Sequence, residues 1–417
     1  MPALGPTDWN PEEPPLNRPA PNPSTDADDL LRDPAAVLER VFGPDASMTP
    51  LTTPDRMGRR VHGLDLTRSL SAEQASLLVD LLDRFHILSF PGQDANGFGI
   101  ADLERVGTHF GAVITHPKNY ANYREKNADL RLLPVEERTS TRSNAAFPGE
   151  ITCIEDADNP AVYVVSNLIG GGRDSAPEIA GGQHWHTDIE FEPIPLGTSL
   201  FYVQRAPTRR DGPDGHWVSN PPREPGFYHP DSDALLSDRR EALPLDGQTA
   251  YTDTAAAFAA LPEDERRDLR KVMLRRRVRP EDPGWLKPLV HENPRSGIES
   301  LHSPVWASRG KNVAPAQVEG MGIDESRAFF DRLEAHCLDP RFRYDHTHAP
   351  GDVTIWSNFA TLHVAPPYKR IVDHPDDARL MYRVSCKGEP SPTLPRNDSD
   401  EWITEHIQPF YRSPSAS

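Results

Sequence analysis

The chain reads Trp185-His186-Thr187-Asp188 at one point and Leu362-His363 far downstream, and these two stretches taken together decide how the rest is read. Side chains at i and i+2 of an extended strand point to the same side, so His186 and Asp188 offer an imidazole and a carboxylate together. His363 then completes a face of two histidines and one carboxylate. That set suits non-haem Fe(II), because it leaves coordination positions open for an oxidant and a co-substrate. Zinc accepts the same three ligands, so a hydrolase stays open on the ligands alone. His-x-Asp is a short motif, and its plain alternative is two polar groups at a strand end. His184, two residues before His186, is a competing ligand, and His346 and His348 form a further pair read as loop or supporting residues.

A second stretch, Arg379-Leu380-Met381-Tyr382-Arg383, follows His363 closely. On a strand Arg379, Met381, Arg383 and Ser385 share one face, and Leu380, Tyr382 and Val384 the other. Two guanidiniums on an inward face are costly unless each meets an anion or water. They are therefore either a solvated outer edge or a fork for a carboxylate.

The acidic balance narrows the partners. Among 417 residues the formal net charge is -18, and binding along a phosphate backbone needs basic patches, so no nucleic-acid partner is expected. Cys153, Cys337 and Cys386 are odd in number and far apart. They form neither a disulfide framework nor a thiolate metal motif, which points to a reducing cytoplasm. Residues 1–30 lack the basic and apolar regions of an export signal, and no apolar run approaches the roughly 20 residues of a membrane helix. The length fits one large domain or two ordinary ones. Proline is frequent, with 44 residues, and is concentrated in 1–25, 207–230 and 388–413, as loops or ends.

Local patterning predicts a flexible arm over 1–48 containing a short helix near Ala36–Phe42, with the folded body starting near Thr49. Ser71 and Gln74 have the spacing of a capping box, ahead of an apolar stripe formed by Leu77, Leu78, Leu81, Leu82 and Phe85. Helices are expected over Ile100–Phe110, Thr254–Ala260 and Pro262–Val278, and from an Asp324 cap through His336. Strands are expected over Val61–Leu66, His86–Phe90, Ala161–Asn167, Thr198–Gln204, Asp352–Trp356 and Leu380–Ser385. The glycines of 168–183 lack the Gly-Lys-Ser/Thr ending of a phosphate loop and read as a mobile loop leading to the site. Strands with inserted and flanking helices give a mainly β chain with a jelly-roll core, a double-stranded β-helix.

With these motifs in order, the chain resembles the taurine dioxygenase family of Fe(II)/2-oxoglutarate-dependent dioxygenases. The matching residues are Trp185-His186-Thr187-Asp188-Ile189-Glu190-Phe191, Gly351-Asp352-Val353-Thr354-Ile355-Trp356-Ser357-Asn358 leading to Thr361-Leu362-His363, and Arg379-Leu380-Met381-Tyr382-Arg383. Gly63-Leu64-Asp65-Leu66, Ile87-Leu88-Ser89-Phe90-Pro91-Gly92-Gln93 and Phe110-Gly111 with His116-Pro117 extend it, so that about 55–388 is covered with interruptions.

The resemblance implies iron ligands His186, Asp188 and His363, with Arg379 holding the distal carboxylate of 2-oxoglutarate. It implies substrate-binding roles for His116 and Arg383. The family threonine that helps hold 2-oxoglutarate has two candidate positions. Asp214-Gly215-His216-Trp217 has Gly where Thr is needed, whereas Asp246-Gly247-Gln248-Thr249 supplies Thr249 and makes about 208–244 an insertion. The implied domain is 49–388, followed by a tail over 389–417. The implied reaction consumes O2 and 2-oxoglutarate, releases succinate and carbon dioxide, and oxidises an unreactive C–H bond. Hydroxylation is the expected outcome, with desaturation or cyclisation in natural-product biosynthesis as the alternative. A non-catalytic binding protein on the same fold, or a zinc hydrolase, are the rivals. Asp188 disfavours halogenation, which needs that carboxylate replaced. The 118–158 segment and the 208–244 insertion, with Trp217, Phe227 and Tyr228, are read as a lid over a small molecule larger than taurine, bearing a carboxylate, sulfonate or phosphonate. The plain alternative is a cover for a sheet edge or a subunit interface in a homo-oligomer.

Overall fold

The computed structural model describes residues 30–388 except 31, 56, 112, 115–140, 155–160, 169–178, 181–183, 193, 221–233, 278–283 and 307–314. His116, Phe227, Tyr228, most of the 118–158 segment and of the 168–183 loop, and the 389–417 tail lie outside the described residues.

Helix α1 (Pro34–Phe42) is capped by Asp33, whose side chain accepts from the Ala36 amide. It belongs to the stretch expected to be a flexible arm, yet Leu30, Val37 and Leu38 are buried in the largest apolar cluster. Packed structure thus begins well before Thr49. Helix α2 (Ala72–Phe85) starts at the anticipated capping box: the Ser71 hydroxyl accepts from the Gln74 amide (3.1 Å) and the Gln74 side chain accepts from the Ser71 amide (3.0 Å). Its stripe from Leu77 to Phe85 is buried. It ends at His86, which turns left-handed (φ 66°) and delivers the chain into a strand.

Ten strands in two sheets form the centre of the fold. In chain order they are β1 (Ser47–Pro50), β2 (Arg59–His62), β3 (Ile87–Phe90), β4 (Tyr163–Ser166), β5 (Leu196–Arg205), β6 (Thr249–Asp253), β7 (Arg343–His346), β8 (Val353–Ser357), β9 (Thr361–Val364) and β10 (Leu380–Lys387). The larger sheet has seven strands in the spatial order β1-β2-β3-β8-β5-β10-β4, antiparallel except for β2 with β3. The smaller places β6 between β7 and β9. Phe201, Val203, Trp356 and Met381 from the large sheet and Tyr251 from the small one share an apolar cluster, so the two sheets pack face to face.

Strand alternation settles the face of the two arginines. Leu380, Tyr382, Val384 and Cys386 join the outer core with α2, while Met381 and Arg383 point between the sheets, where Arg379 and Arg383 are buried. They do not form a solvated edge.

Three local expectations need correction. The helix expected over Pro262–Val278 stops at Leu269, because Met273–Arg276 alternates in burial and pairs as a strand with Trp285–Pro288. The helix expected to be capped by Asp324 is capped instead at Gly322, whose amide donates to the Glu325 carboxylate (3.0 Å). That helix, Ile323–Cys337, holds the helix Ala234–Glu241 of the insertion through a buried two-point pair of Arg240 with Glu334. Trp217 is fully buried, and its indole donates to Asp377 (2.9 Å). These described parts of the insertion are docked, and Trp217 anchors them instead of lining a substrate surface.

Candidate metal centre and co-substrate site

His186 and His363 are brought together by the backbone. The two residues exchange hydrogen bonds, His186 N to His363 O (2.9 Å) and His363 N to His186 O (2.8 Å), as an isolated antiparallel bridge. His363 belongs to β9. His186 is not in a continuous strand, because the chain turns at once through Asp188 to a left-handed Ile189 (φ 49°). The turn, not strand alternation alone, swings the Asp188 carboxylate back between the imidazoles.

One ligand atom from each of His186, Asp188 and His363 lies within 4.8 Å of the others. Asp188 Oδ1 is 3.8 Å from His186 Nε2, and Oδ2 is 3.7 Å from His363 Nε2. His186 Nδ1 donates to the His184 carbonyl (2.8 Å), which fixes the tautomer and leaves the Nε2 lone pair free to ligate. His184 therefore contributes its carbonyl, and its ring is not part of the cluster. Asp188 is itself held: Asn358 Nδ2 donates to Ser199 Oγ (3.0 Å), and Ser199 Oγ donates to Asp188 Oδ2 (2.8 Å).

Burial would raise the Asp188 pKa, but Arg383, His363, His186 and the Ser199 hydrogen bond together hold it well below the usual carboxylate range. Arg383 donates to Asp188 Oδ1 (2.6 Å) and lies over the Tyr163 ring (5.0 Å). The residue expected at the substrate end thus reaches the carboxylate of the candidate metal set. Burial, with His186 and Arg383, pushes the His363 imidazole down to about 3, although Asp188 opposes this, so a neutral ligand is available.

Beside this centre is an unmatched cation. Arg379 is buried, burial brings its guanidinium down to about 10, and its Nε has no hydrogen-bond partner among the described residues. A buried guanidinium without a partner is costly, and a planar carboxylate would complete it. Thr249 stands on β6, buried, with its hydroxyl 2.8 Å from His348 Nε2. Tyr251, two residues on, pairs with His363 in the strand register. Its hydroxyl is buried and has no partner among the described residues. Burial raises its pKa, and Asp188 and Tyr344 add to this while Arg379 and Arg383 oppose it; the ring itself lies beside that of His363, with centroids 6.0 Å apart. The donor set fits an iron ion, and the orphaned guanidinium and phenol fit a dicarboxylate chelating it.

The sequence reading missed Ser199, Tyr251 and the contact of His348 with Thr249. For Tyr251 a signal existed: it shares a strand face with Thr249. Ser199 carries no signal, since its side chain meets Asp188 across the turn that precedes β5, and pairing of β5 with β8 brings Asn358 to it.

This fold and centre are those of an oxygenase, and comparison with known proteins agrees. The family model described as "Taurine catabolism dioxygenase TauD, TfdA family" matches residues 47–385. The chain belongs to the TauD/TfdA family and is an alpha-ketoglutarate-dependent dioxygenase that uses Fe(II), 2-oxoglutarate and O2. It is 25% identical over 250 residues to pentalenolactone F synthase of Streptomyces arenae, covering 54% of this chain and 68% of the relative. It is 21% identical over 321 residues to (S)-phenoxypropionate/alpha-ketoglutarate-dioxygenase of Sphingobium herbicidovorans, covering 72% of this chain and 89% of the relative. A solved taurine dioxygenase from Burkholderia xenovorans shares the fold, with a TM-score of 0.50 at 20% identity over 84% of this chain and 94% of that one.

Proposed function

We propose that this dioxygenase oxidises an unactivated C–H bond of a small organic anion, with succinate and carbon dioxide as co-products and hydroxylation as the outcome. The observation that carries this is a pair of buried guanidiniums, Arg379 immediately before β10 and Arg383 within it, only one of which has a carboxylate partner among the described residues. His186, Asp188 and His363 hold the iron, which together with 2-oxoglutarate and dioxygen supplies the oxidising power. Arg379 and Thr249 hold the distal carboxylate of 2-oxoglutarate. Arg383, which reaches both Asp188 and the space between the sheets, receives the anionic group of the prime substrate together with His116. Packing between the sheets excludes water and fixes the approach of substrate to metal. The two sheets are read as the halves of a double-stranded β-helix, in one catalytic domain over about 49–388 onto which α1 packs.

Phenoxypropionate, in the name of one relative, is a carboxylate, which favours an anion. Pentalenolactone F synthase is named for a natural-product step, which keeps desaturation or cyclisation as the second reading. The three buried cysteines, none of them in a disulfide, suit a reducing cytoplasm, and no helix among the described residues is long and apolar enough to cross a membrane. The decisive experiment is a screen of small carboxylates, sulfonates and phosphonates against neutral compounds, read as succinate formation and product mass. Turnover of neutral compounds alone, with Arg383→Ala fully active, would refute the anion reading.

A further inference from the structure

We propose that His348 is a positioning residue for the co-substrate: by donating from Nε2 to the Thr249 oxygen, it leaves the Thr249 hydroxyl hydrogen free for the carboxylate at Arg379. The inference rests on the reading that Thr249 and Arg379 hold that carboxylate.

The geometry is a count of hydrogens. The Thr249 hydroxyl and the His348 Nε2 are 2.8 Å apart, both buried. The imidazole is neutral, since burial, then His346 and Arg379, push its pKa well below the ordinary value. A neutral imidazole carries one N–H and a hydroxyl carries one O–H. One of these two hydrogens fills the shared bond, and the other is left over.

Two arrangements follow. If Thr249 donates to Nε2, the imidazole hydrogen sits on Nδ1, which is buried and has no partner among the described residues. The threonine oxygen would then show only lone pairs to an incoming carboxylate. If Nε2 donates to Thr249, the orphaned N–H disappears and the hydroxyl hydrogen can turn to the anion. Buried donors without partners are rarer than under-used acceptors, and a carboxylate needs donors. The second arrangement meets both requirements. The surroundings hold the ring in place: His346 packs against it edge-on (centroids 4.8 Å apart), and Phe201 does likewise (6.1 Å). His346 is fixed in turn by Tyr344, whose hydroxyl lies 2.8 Å from its Nδ1, and by Thr354, 3.1 Å from its Nε2. Side chains from both sheets thus lock the donor.

The test is a double-mutant cycle on the Fe(II) enzyme without oxygen, with 2-oxoglutarate titrated calorimetrically. His348→Leu removes the donor. His348→Gln places an amide N–H near the position of Nε2. Thr249→Val removes the hydroxyl. We expect His348→Leu to weaken 2-oxoglutarate binding by up to about tenfold, because the Thr249 hydroxyl loses the donor that aims its hydrogen at the carboxylate. His348→Gln should recover most of that loss. In the Thr249→Val background His348→Leu should add no further weakening, whereas a merely structural role would add to it. Unchanged affinity in His348→Leu, with Thr249→Val weakened, overturns this inference and leaves the co-substrate reading standing. Unchanged affinity in Thr249→Val overturns both. Iron content and circular dichroism of each variant separate a binding defect from misfolding. If His348→Leu does not fold, His348→Gln decides: affinity near that of the native protein supports the donor role, and affinity as weak as that of Thr249→Val overturns it.

Discussion

Asn167 grips Arg379 by its backbone on both sides. The Asn167 amide donates to the Arg379 carbonyl (3.2 Å), and the Arg379 amide donates to Asn167 Oδ1 (2.8 Å). The same side chain donates from Nδ2 to the carbonyls of Asp377 (3.0 Å) and Lys369 (3.2 Å). A residue with no charge of its own thereby sets where the key guanidinium starts. Arg379→Ala should weaken 2-oxoglutarate binding by about 2–5 kcal/mol, the usual cost of truncating one partner of a buried charged contact. Asn167→Ala should weaken it less and lower thermal stability. An anaerobic titration checks both, and an unchanged dissociation constant for Arg379→Ala would sink the assignment.

Ser199 and Asn358 should tune the metal without touching it. Partners of metal ligands typically matter by about 10–100-fold in affinity. Ser199→Ala should therefore lower Fe(II) affinity within that range, and Asn358→Ala should follow it, since Asn358 acts on Ser199. His186→Ala and His363→Ala should lose iron binding altogether. The measurement is an anaerobic competition with a chromogenic chelator. A Ser199→Ala protein with native affinity would disconnect this chain of hydrogen bonds from the metal.

Tyr251→Phe separates stability from binding. The hydroxyl is buried without a partner among the described residues, and an unsatisfied buried polar group costs about 1–3 kcal/mol. Its removal should leave the ligand-free protein as stable as before or more so. If the phenol faces bound 2-oxoglutarate, the same variant should bind it more weakly. Denaturant melts with and without 2-oxoglutarate read both effects. A variant that loses stability in the ligand-free state would contradict the orphaned hydroxyl.

Acid should unfold the protein partly through His346. Burial, with Arg60 adding to it, pushes this imidazole down to about 3, whereas an unfolded histidine titrates near 6.5. The unfolded chain therefore binds the extra proton first as pH falls. Stability from this group is complete above about pH 6.5 and is lost on the way down to about 3, by up to about 1.4 kcal/mol per pH unit. His346→Gln should flatten that slope. Urea melts from pH 7 to 4 would settle the point, equal slopes for variant and native protein counting against it.

What could be read from the chain alone was whatever short-range chemistry encodes. Ser71 and Gln74 gave the start of a helix because a capping box is local, and strand alternation put Arg379 and Arg383 on the same face as Met381. The direction of that side was not local. It depends on which sheet covers the strand, and alternation is blind to that. The helix expected through Val278 failed for a related reason, since the charged run of Glu263–Arg270 continues helical spacing while Met273–Arg276 answers to the strand Trp285–Pro288 across a turn. Nor does any spacing reveal Arg383 reaching Asp188, or Trp217 reaching Asp377, because those contacts join segments far apart in the chain.

Asp377 receives Trp217 from the insertion, Lys369 and Arg209 by ion pairs, and lies two residues before Arg379. The added length of chain is therefore fastened to the approach of the residue that the shared chemistry cannot spare. Transplanting 208–244 into a related scaffold would also require this aspartate and the lysine beside it, and without them the graft would arrive as an unmoored loop. Conversely, changes to the insertion that disturb its hold on Asp377 would be expected to carry a toll in co-substrate affinity, even when no altered residue comes near Arg379.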